Sequence, residues 1–137
     1  MSTFFQSIAL AAQGLRAQSG RMRIVAENIA NADSAPTRAG EEPYRRKIAT
    51  FERRYDAAAQ APGVALGRTR ADASAFRPRY EPGHPAADAN GFVSMPNVDT
   101  LIEQADMREA QRSYEANVNV ISATRRMIAR TLDILKI

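Results

Sequence analysis

The stretch Asn97–Ile137, NVDTLIEQADMREAQRSYEANVNVISATRRMIARTLDILKI, reads as one uninterrupted amphipathic helix, and the rest of the chain is organised around it. From Tyr114 onward, Val118, Ile121, Arg125, Ile128, Leu132 and Leu135 alternate at spacings of four and three, and all but Arg125 are apolar. That rhythm is a coiled-coil seam. A second stripe, Val120, Thr124, Met127, Thr131 and Ile134, keeps the rhythm one step away, so the apolar face is wide enough to meet several neighbours. Neither Gly nor Pro occurs after Pro96, and Thr100 with Glu103 has the spacing of a capping box. The helix is therefore expected to start between Asn97 and Thr100. At about 1.5 Å per residue it would run roughly 55–60 Å, longer than a small globular core usually covers. Its apolar face needs partners outside the chain.

The N-terminal segment mirrors it. Phe5, Ile8, Ala12, Leu15, Ser19, Met22, Ala26 and Ile29 keep the same alternation, Thr3 with Gln6 has cap spacing, and Asn31-Ala-Asp-Ser-Ala-Pro36 ends the run. The expected fold class is mainly α: long N- and C-terminal helices packing as an antiparallel coiled-coil hairpin, with a small irregular β-rich insert between them. Residues 1–35 and 97–137 then form a discontinuous helical core domain around an insert, 36–96, which holds a flexible connector near 56–63. All seven Pro lie between Pro36 and Pro96, as do five of the seven Gly. Short β-like runs, Lys47–Phe51, Val64–Leu66, Ala75–Tyr80 and Phe92–Met95, are separated by the turn signals Glu81-Pro-Gly-His-Pro85 and Asp88-Ala-Asn-Gly91. Pro78 confines its run to a sheet edge.

The 137 residues suit one domain, or a helical body with an insert, and 45% hydrophobic content permits a real core. Nineteen Lys and Arg stand against 15 Asp and Glu, scattered along the chain, so no block marks a nucleic-acid or membrane surface. The absence of Cys excludes disulfides and thiolate metal sites. Near the N-terminus, Ile8-Ala-Leu-Ala-Ala12 is short, ends at Gln13 and has no basic residue before it, so it is expected to be neither signal peptide nor membrane span.

Two groups of residues carry a resemblance. Ile24-Val-Ala-Glu-Asn28-Ile29-Ala-Asn31-Ala-Asp33 followed by Pro43-Tyr-Arg-Arg-Lys47, together with Tyr114-Glu-Ala-Asn117-Val118, resembles the bacterial flagellar rod and hook family of axial proteins. The middle run, Tyr80-Glu-Pro82-Gly83-His84-Pro85, Asp88, then Gly91-Phe-Val-Ser-Met95-Pro96-Asn97-Val98, narrows the likeness to the proximal rod. The likeness spans nearly the whole chain and departs most clearly at 57–77. It implies a structural subunit that polymerises helically into the drive shaft of the basal body, with other copies of itself, other rod subunits and the rod-to-MS-ring adaptor as partners. It also implies export through the flagellar type III apparatus without a cleaved signal, no nucleic acid and no direct membrane insertion.

The assembly interface is accordingly expected at Phe5, Ile8, Leu15, Met22, Asn28, Ile29 and Asn31 on the first helix. On the second it is expected at Tyr114, Asn117, Val118, Ile121, Ile128, Leu132 and Leu135. Asn28 and Asn31 also fit a local helix-end role, since Asn bonds nearby backbone. His84 has no Cys or carboxylate cluster beside it in sequence and is read as a turn residue and not as a metal ligand. Arg45, Arg46, Lys47, Arg53 and Arg54 read as a solvated or inter-subunit ion-pairing face, and Arg125 as a side chain that snorkels to water. No nucleophile, base and orienter can be assembled and no phosphate loop appears, so neither catalysis nor a cofactor is expected.

Overall fold

The computed structural model describes residues 2–136. Helix α1 spans Ser2–Ala30 and helix α2 spans Thr100–Leu135, and the two pack together with small antiparallel ladders between them in sequence. The intervening strands are β1 (Lys47–Ile48), β2 (Phe51–Asp56), β3 (Ala61–Leu66), β4 (Arg70–Ala71), β5 (Arg77–Tyr80) and β6 (Phe92–Met95). They pair two by two, β1 with β4, β2 with β3 and β5 with β6. The expected run Lys47–Phe51 is broken at 49–50 and serves two ladders.

Two compact units result, one from 1–22, 50–68 and 108–137, the other from 23–49 and 69–107. In the first, the helices lie antiparallel: the Arg21 guanidinium reaches Glu109 at 3.5 Å, and a Cβ placed on Gly14 would sit 2.7 Å from Asn117 Oδ1. The contact is therefore close, made where side chains are small. The buried line of α1 through this unit is Ala11 and Gly14, continued by half-buried Phe4, Ser7, Gln18 and Arg21. That line runs one residue earlier than the expected seam, of which Phe5 and Ser19 are exposed. On α2 it runs through Ala110, Tyr114, Asn117, Ile121, Thr124 and Ile128, so Asn117 and Thr124 stand inward where Val118 and Arg125 had been expected. Small residues let the backbones approach. Thr124 satisfies its hydroxyl on Val120 O at 2.8 Å, and the Asn117 amide donates to Ser113 O at 2.9 Å, so their burial does not strand these donors.

The other flank of α1 in this unit carries the β2–β3 hairpin. Leu66 lies over Gly20, Gly63 over Gln13, and the Gln13 amide donates to Asp56 Oδ2. Of the stretch 56–63 that reads as a connector, 57–60 is the bend of this hairpin, Asp56 ends β2 and 61–63 open β3. Asp56 Oδ1 accepts from the amides of Ala58 (2.7 Å) and Ala59 (2.9 Å), a local turn that a short carboxylate provides and an Ala-rich string conceals.

In the second unit, Ala86, Val93 and Met95 form a small apolar cluster flanked by Ala35 and Ala87. Asp99, not Thr100, caps α2: its Oδ1 accepts from the amides of Leu101 at 2.9 Å and Ile102 at 3.4 Å. Asp outranks Thr at this position, and Glu103, expected to complete a capping box, is drawn inward instead. At the end of α1, Asn31 Nδ2 donates to Glu27 O at 2.9 Å and Oδ1 accepts from Ser34, the local helix-end role.

Candidate assembly surfaces and a buried polar junction

Most of the polar chemistry of the second unit converges on Glu103, whose residue is fully buried. Its Oε1 accepts from Arg46 Nε and its Oε2 from Asn28 Nδ2 at 3.0 Å. Arg46 is the hub on the cationic side, reaching Asp72 at 3.3 Å and Asp106 at 3.6 Å as well. Burial works to lower the Arg46 guanidinium, but its hydrogen bonds and charge contacts with Glu103 and Asp72 outweigh that and raise it. Asp72 is held below the usual carboxylate range by the Ser74 amide and hydroxyl, with Arg46 adding to the effect.

Asn28 sits beside this pair and reads an extended segment. Its Oδ1 accepts from Lys47 N at 2.9 Å, and its Nδ2 donates to Lys47 O at 2.8 Å, so one side-chain amide takes the place of a neighbouring strand. The Tyr44 hydroxyl donates to the same Oδ1 at 2.8 Å. Burial, with the charges of Glu27 and Glu103, pushes that phenol up to about 12, so it stays a neutral donor. Asn97 closes the far side, its Oδ1 accepting from Arg46 N at 2.7 Å and its amide donating to Asp72 O and Ser74 O. Asn28 thus holds its own chain together and is itself buried. The basic stretch is absorbed likewise: Lys47 pairs with Glu27, and Arg45 stacks over Phe76 at 4.2 Å. Only Arg53 and Arg54 keep the solvated character expected of the run.

The middle motif forms a self-bonded loop between β5 and β6. His84 Nδ1 accepts from Ala86 N at 3.0 Å, the turn role expected of it. Asp88 Oδ1 accepts from the amides of Asn90 and Phe92, and Gly91 holds a φ of +84°. A Cβ on Gly91 would meet Tyr80 at 2.9 Å, and the Tyr80 ring stands edge-on to Phe92 at 5.3 Å. Gly91, Met95 and Pro96 are buried, Asn97 and His84 half-buried, while Pro82, Gly83, Pro85 and Asp88 lie exposed. Among the described residues no group of His, Cys, Asp and Glu could hold a metal ion, and no helix is long and apolar enough to cross a membrane.

Several large apolar side chains of α2 are left exposed. Val118, Val120, Met127 and Leu132 are exposed, and Ile134 and Leu135 are 71% and 75% exposed. On α1, Phe5 is exposed, whereas Ile8, Leu15, Met22 and Ile29 are half-buried, as are Tyr114, Asn117, Ile121 and Ile128 on α2. A small apolar groove at the helix ends is lined by Phe4, Ile128, Thr131, Leu132 and Leu135. Ile121 and Ile128 are therefore already partly covered within one chain. Sequence reasoning missed Glu103, Arg46 and Tyr44 as a junction. The signal that could have found it is Tyr44 and Arg46, two polar residues two apart in an extended run, a spacing that sends both side chains to one side.

Comparison with known proteins follows this geometry. Residues 89–134, from the middle loop through most of α2, match the family described as flagellar basal body rod FlgEFG protein C-terminal. The chain is 51% identical over 127 residues to the flagellar basal-body rod protein FlgC of Agrobacterium fabrum, covering 93% of this chain and 91% of that protein. It is 42% identical over 130 residues to the Salmonella typhimurium FlgC, with 91% and 92% covered. It is 36% identical over 151 aligned positions to that of Bacillus subtilis, with 98% and 99% covered.

Proposed function

The chain belongs to the FlgC family of flagellar basal-body rod proteins, and from that premise we propose how it is built into the rod. It is a structural subunit of the proximal rod and not an enzyme. Polymerisation uses the outward stripe of α2, Val118, Val120, Met127, Leu132, Ile134 and Leu135, together with Phe5 at the start of α1. The observation that carries this reading is their exposure in the single chain. A heterologous contact that does not close on itself generates a helical polymer, the geometry a shaft requires. The partners are other copies of the chain, other rod subunits and the adaptor that joins the rod to the MS ring. The subunit reaches them through the flagellar type III apparatus without cleavage of a signal.

Replacing Met127 and Leu132 together with Asp tests this reading. Both are exposed, so the free subunit is expected to keep its helical signal and to be secreted normally, while basal bodies lack rods and cells do not swim. Normal rods from the double variant would overturn the assignment of this face.

A further inference from the structure

The chain has no Cys, so the thioethers of its methionines are its only sulfur atoms. Four of those methionines lie among the described residues, and their surroundings differ. Met95 belongs to the apolar cluster of the second unit, packed with Ala86 and Val93 and 4% exposed. Met22 on α1 and Met107 on α2 are half-buried. Met127 is 48% exposed. One turn to either side of it, Thr124 and Thr131 turn their hydroxyls back onto the helix, to Val120 O at 2.8 Å and Met127 O at 2.9 Å, so neither donates to the sulfur. A small oxidant dissolved in water has to reach a sulfur lone pair to react with it. Exposure therefore ranks these four side chains, with Met127 first and Met95 last.

We infer that Met127 is a site of reversible oxidation by peroxides, and that its sulfoxide keeps the subunit from joining the rod. The inference rests on the reading of the α2 stripe as the polymerising face. The thioether sulfur attacks one peroxide oxygen, a sulfur–oxygen bond forms as the oxygen–oxygen bond breaks, and the other oxygen leaves with the protons as water. Sulfur loses two electrons and the peroxide gains them, so no further reactant is needed. The product replaces a flexible apolar side chain by a polar one. In the free subunit that oxygen stands in water and the fold is undisturbed. In an apolar contact between subunits it has to be stripped of water, a cost the thioether does not carry. Sulfoxide reductases return the thioether, so the modification is reversible. A sulfur covered by a neighbouring subunit is shielded from peroxide, which confines the sensitivity to the interval before assembly.

Purified full-length chain treated with dilute hydrogen peroxide, with each methionine followed separately by peptide mass spectrometry, tests the site. Met127 is expected to gain oxygen ahead of Met22 and Met107 and on the order of tenfold faster than Met95. Circular dichroism should be unchanged while Met127 alone is modified, and sulfoxide reductases acting on both epimers should restore the thioether. Oxidation of Met95 at the rate of Met127, or of Met22 or Met107 before it, would overturn the inference. Two further measurements test the consequence. In isolated basal bodies the same peroxide is expected to oxidise Met127 roughly tenfold more slowly than in the free subunit. In cells that secrete the variants equally, rod yield is expected to be about tenfold lower for Met127→Gln, which places a neutral polar end on the stripe, than for Met127→Leu. Protection in basal bodies with equal rods from the two variants would overturn the inference alone, because the contact then tolerates a polar atom. Oxidation of Met127 as fast in basal bodies as in the free subunit would overturn the reading of the stripe beneath it.

Discussion

Arg46→Met should be the most damaging single substitution in the second unit, more so than loss of Glu103 itself. Methionine keeps much of the side-chain volume and removes the charge and the donors. Glu103 is then left with one donor, the Asn28 amide at 3.0 Å, and with its side chain 1% exposed to water. Breaking a buried ion pair from one side typically costs about 3–5 kcal/mol, because the abandoned charge cannot be resolvated. Removing Glu103 instead strands less. Arg46 is 21% exposed and keeps Asp72 at 3.3 Å and Asp106 at 3.6 Å, and Asn28 Nδ2 keeps Lys47 O at 2.8 Å. About 2–3 kcal/mol is then a reasonable figure for Glu103→Gln.

The ordering is the sharper test. Combining Arg46→Met with Glu103→Gln replaces a stranded carboxylate by a neutral amide, so the double variant should be more stable than Arg46→Met alone, a coupling in excess of about 1 kcal/mol. Urea and thermal unfolding followed by far-ultraviolet circular dichroism measure it. For a domain of this size a loss of 3–5 kcal/mol corresponds to a drop on the order of 10–20 °C in melting temperature. If Arg46→Met lies within about 1 kcal/mol of wild type, or if the double variant is the least stable of the three, Glu103 is not the buried acceptor described and the junction does not hold the unit together.

Acid should loosen both units. Asp56, held low mainly by the Ala59 amide and Gln13, and Asp72, held low by Ser74 and Arg46, are depressed in the folded chain. Depressed carboxylates contribute stability that is complete above their unfolded value near 3.9 and is lost as pH falls through the folded value. Unfolding midpoints measured between pH 7 and 2.5 should therefore hold steady to about pH 4 and drop below it, and a midpoint unchanged at pH 2.5 would contradict this. The two motif glycines should behave differently. Gly91→Ala must adopt φ +84° with its Cβ 2.9 Å from Tyr80, costing roughly 1–3 kcal/mol. Gly83→Ala meets nothing within 4 Å and should stay within about 0.5 kcal/mol, so equal effects in a thermal melt would sink the distinction.

How far the sequence discloses this structure depends on which residues carry the signal. Both helices, the turns at Pro82–Pro85 and Asp88–Gly91 and the β6 strand are legible, because Gly, Pro and a three-four apolar rhythm mark them locally. The facing of the helices is not. A hydrophobic count places Phe5, Val118 and Leu132 in the seam, whereas the contact selects Gly14, Ala11, Ala110 and Thr124, which score as neutral or polar but let two backbones approach. Position 103 misleads for a related reason. A Glu three residues after a Thr fits a capping box equally well whether or not an arginine 57 residues away claims it, and only tertiary structure brings that arginine near. The hairpin bend at 57–60 is hidden because its specifying group, the Asp56 carboxylate, lies just outside the featureless alanines it organises.

The proposed use of the exposed apolar side chains of α2 carries its own energetics of assembly. Each half-exposed Val, Met, Leu or Ile on the α2 stripe retains on the order of 1 kcal/mol of burial to gain, so the six together offer several kcal/mol per subunit. Bringing two subunits together costs a comparable amount in lost freedom, about 4–15 kcal/mol. A single pairwise contact through this stripe is therefore marginal, and free subunits at low concentration stay apart. In a helical lattice one subunit meets several neighbours while its rotational and translational freedom is lost only once, so each further contact adds to the gain without repeating that cost. Growth on an existing tip is then favoured where pairing in solution is not. On the assembly reading proposed above, apolar side chains that the fold of one chain leaves exposed would give a shaft protein that conditional behaviour, and a chain that buried the same residues within itself would fold well and build nothing.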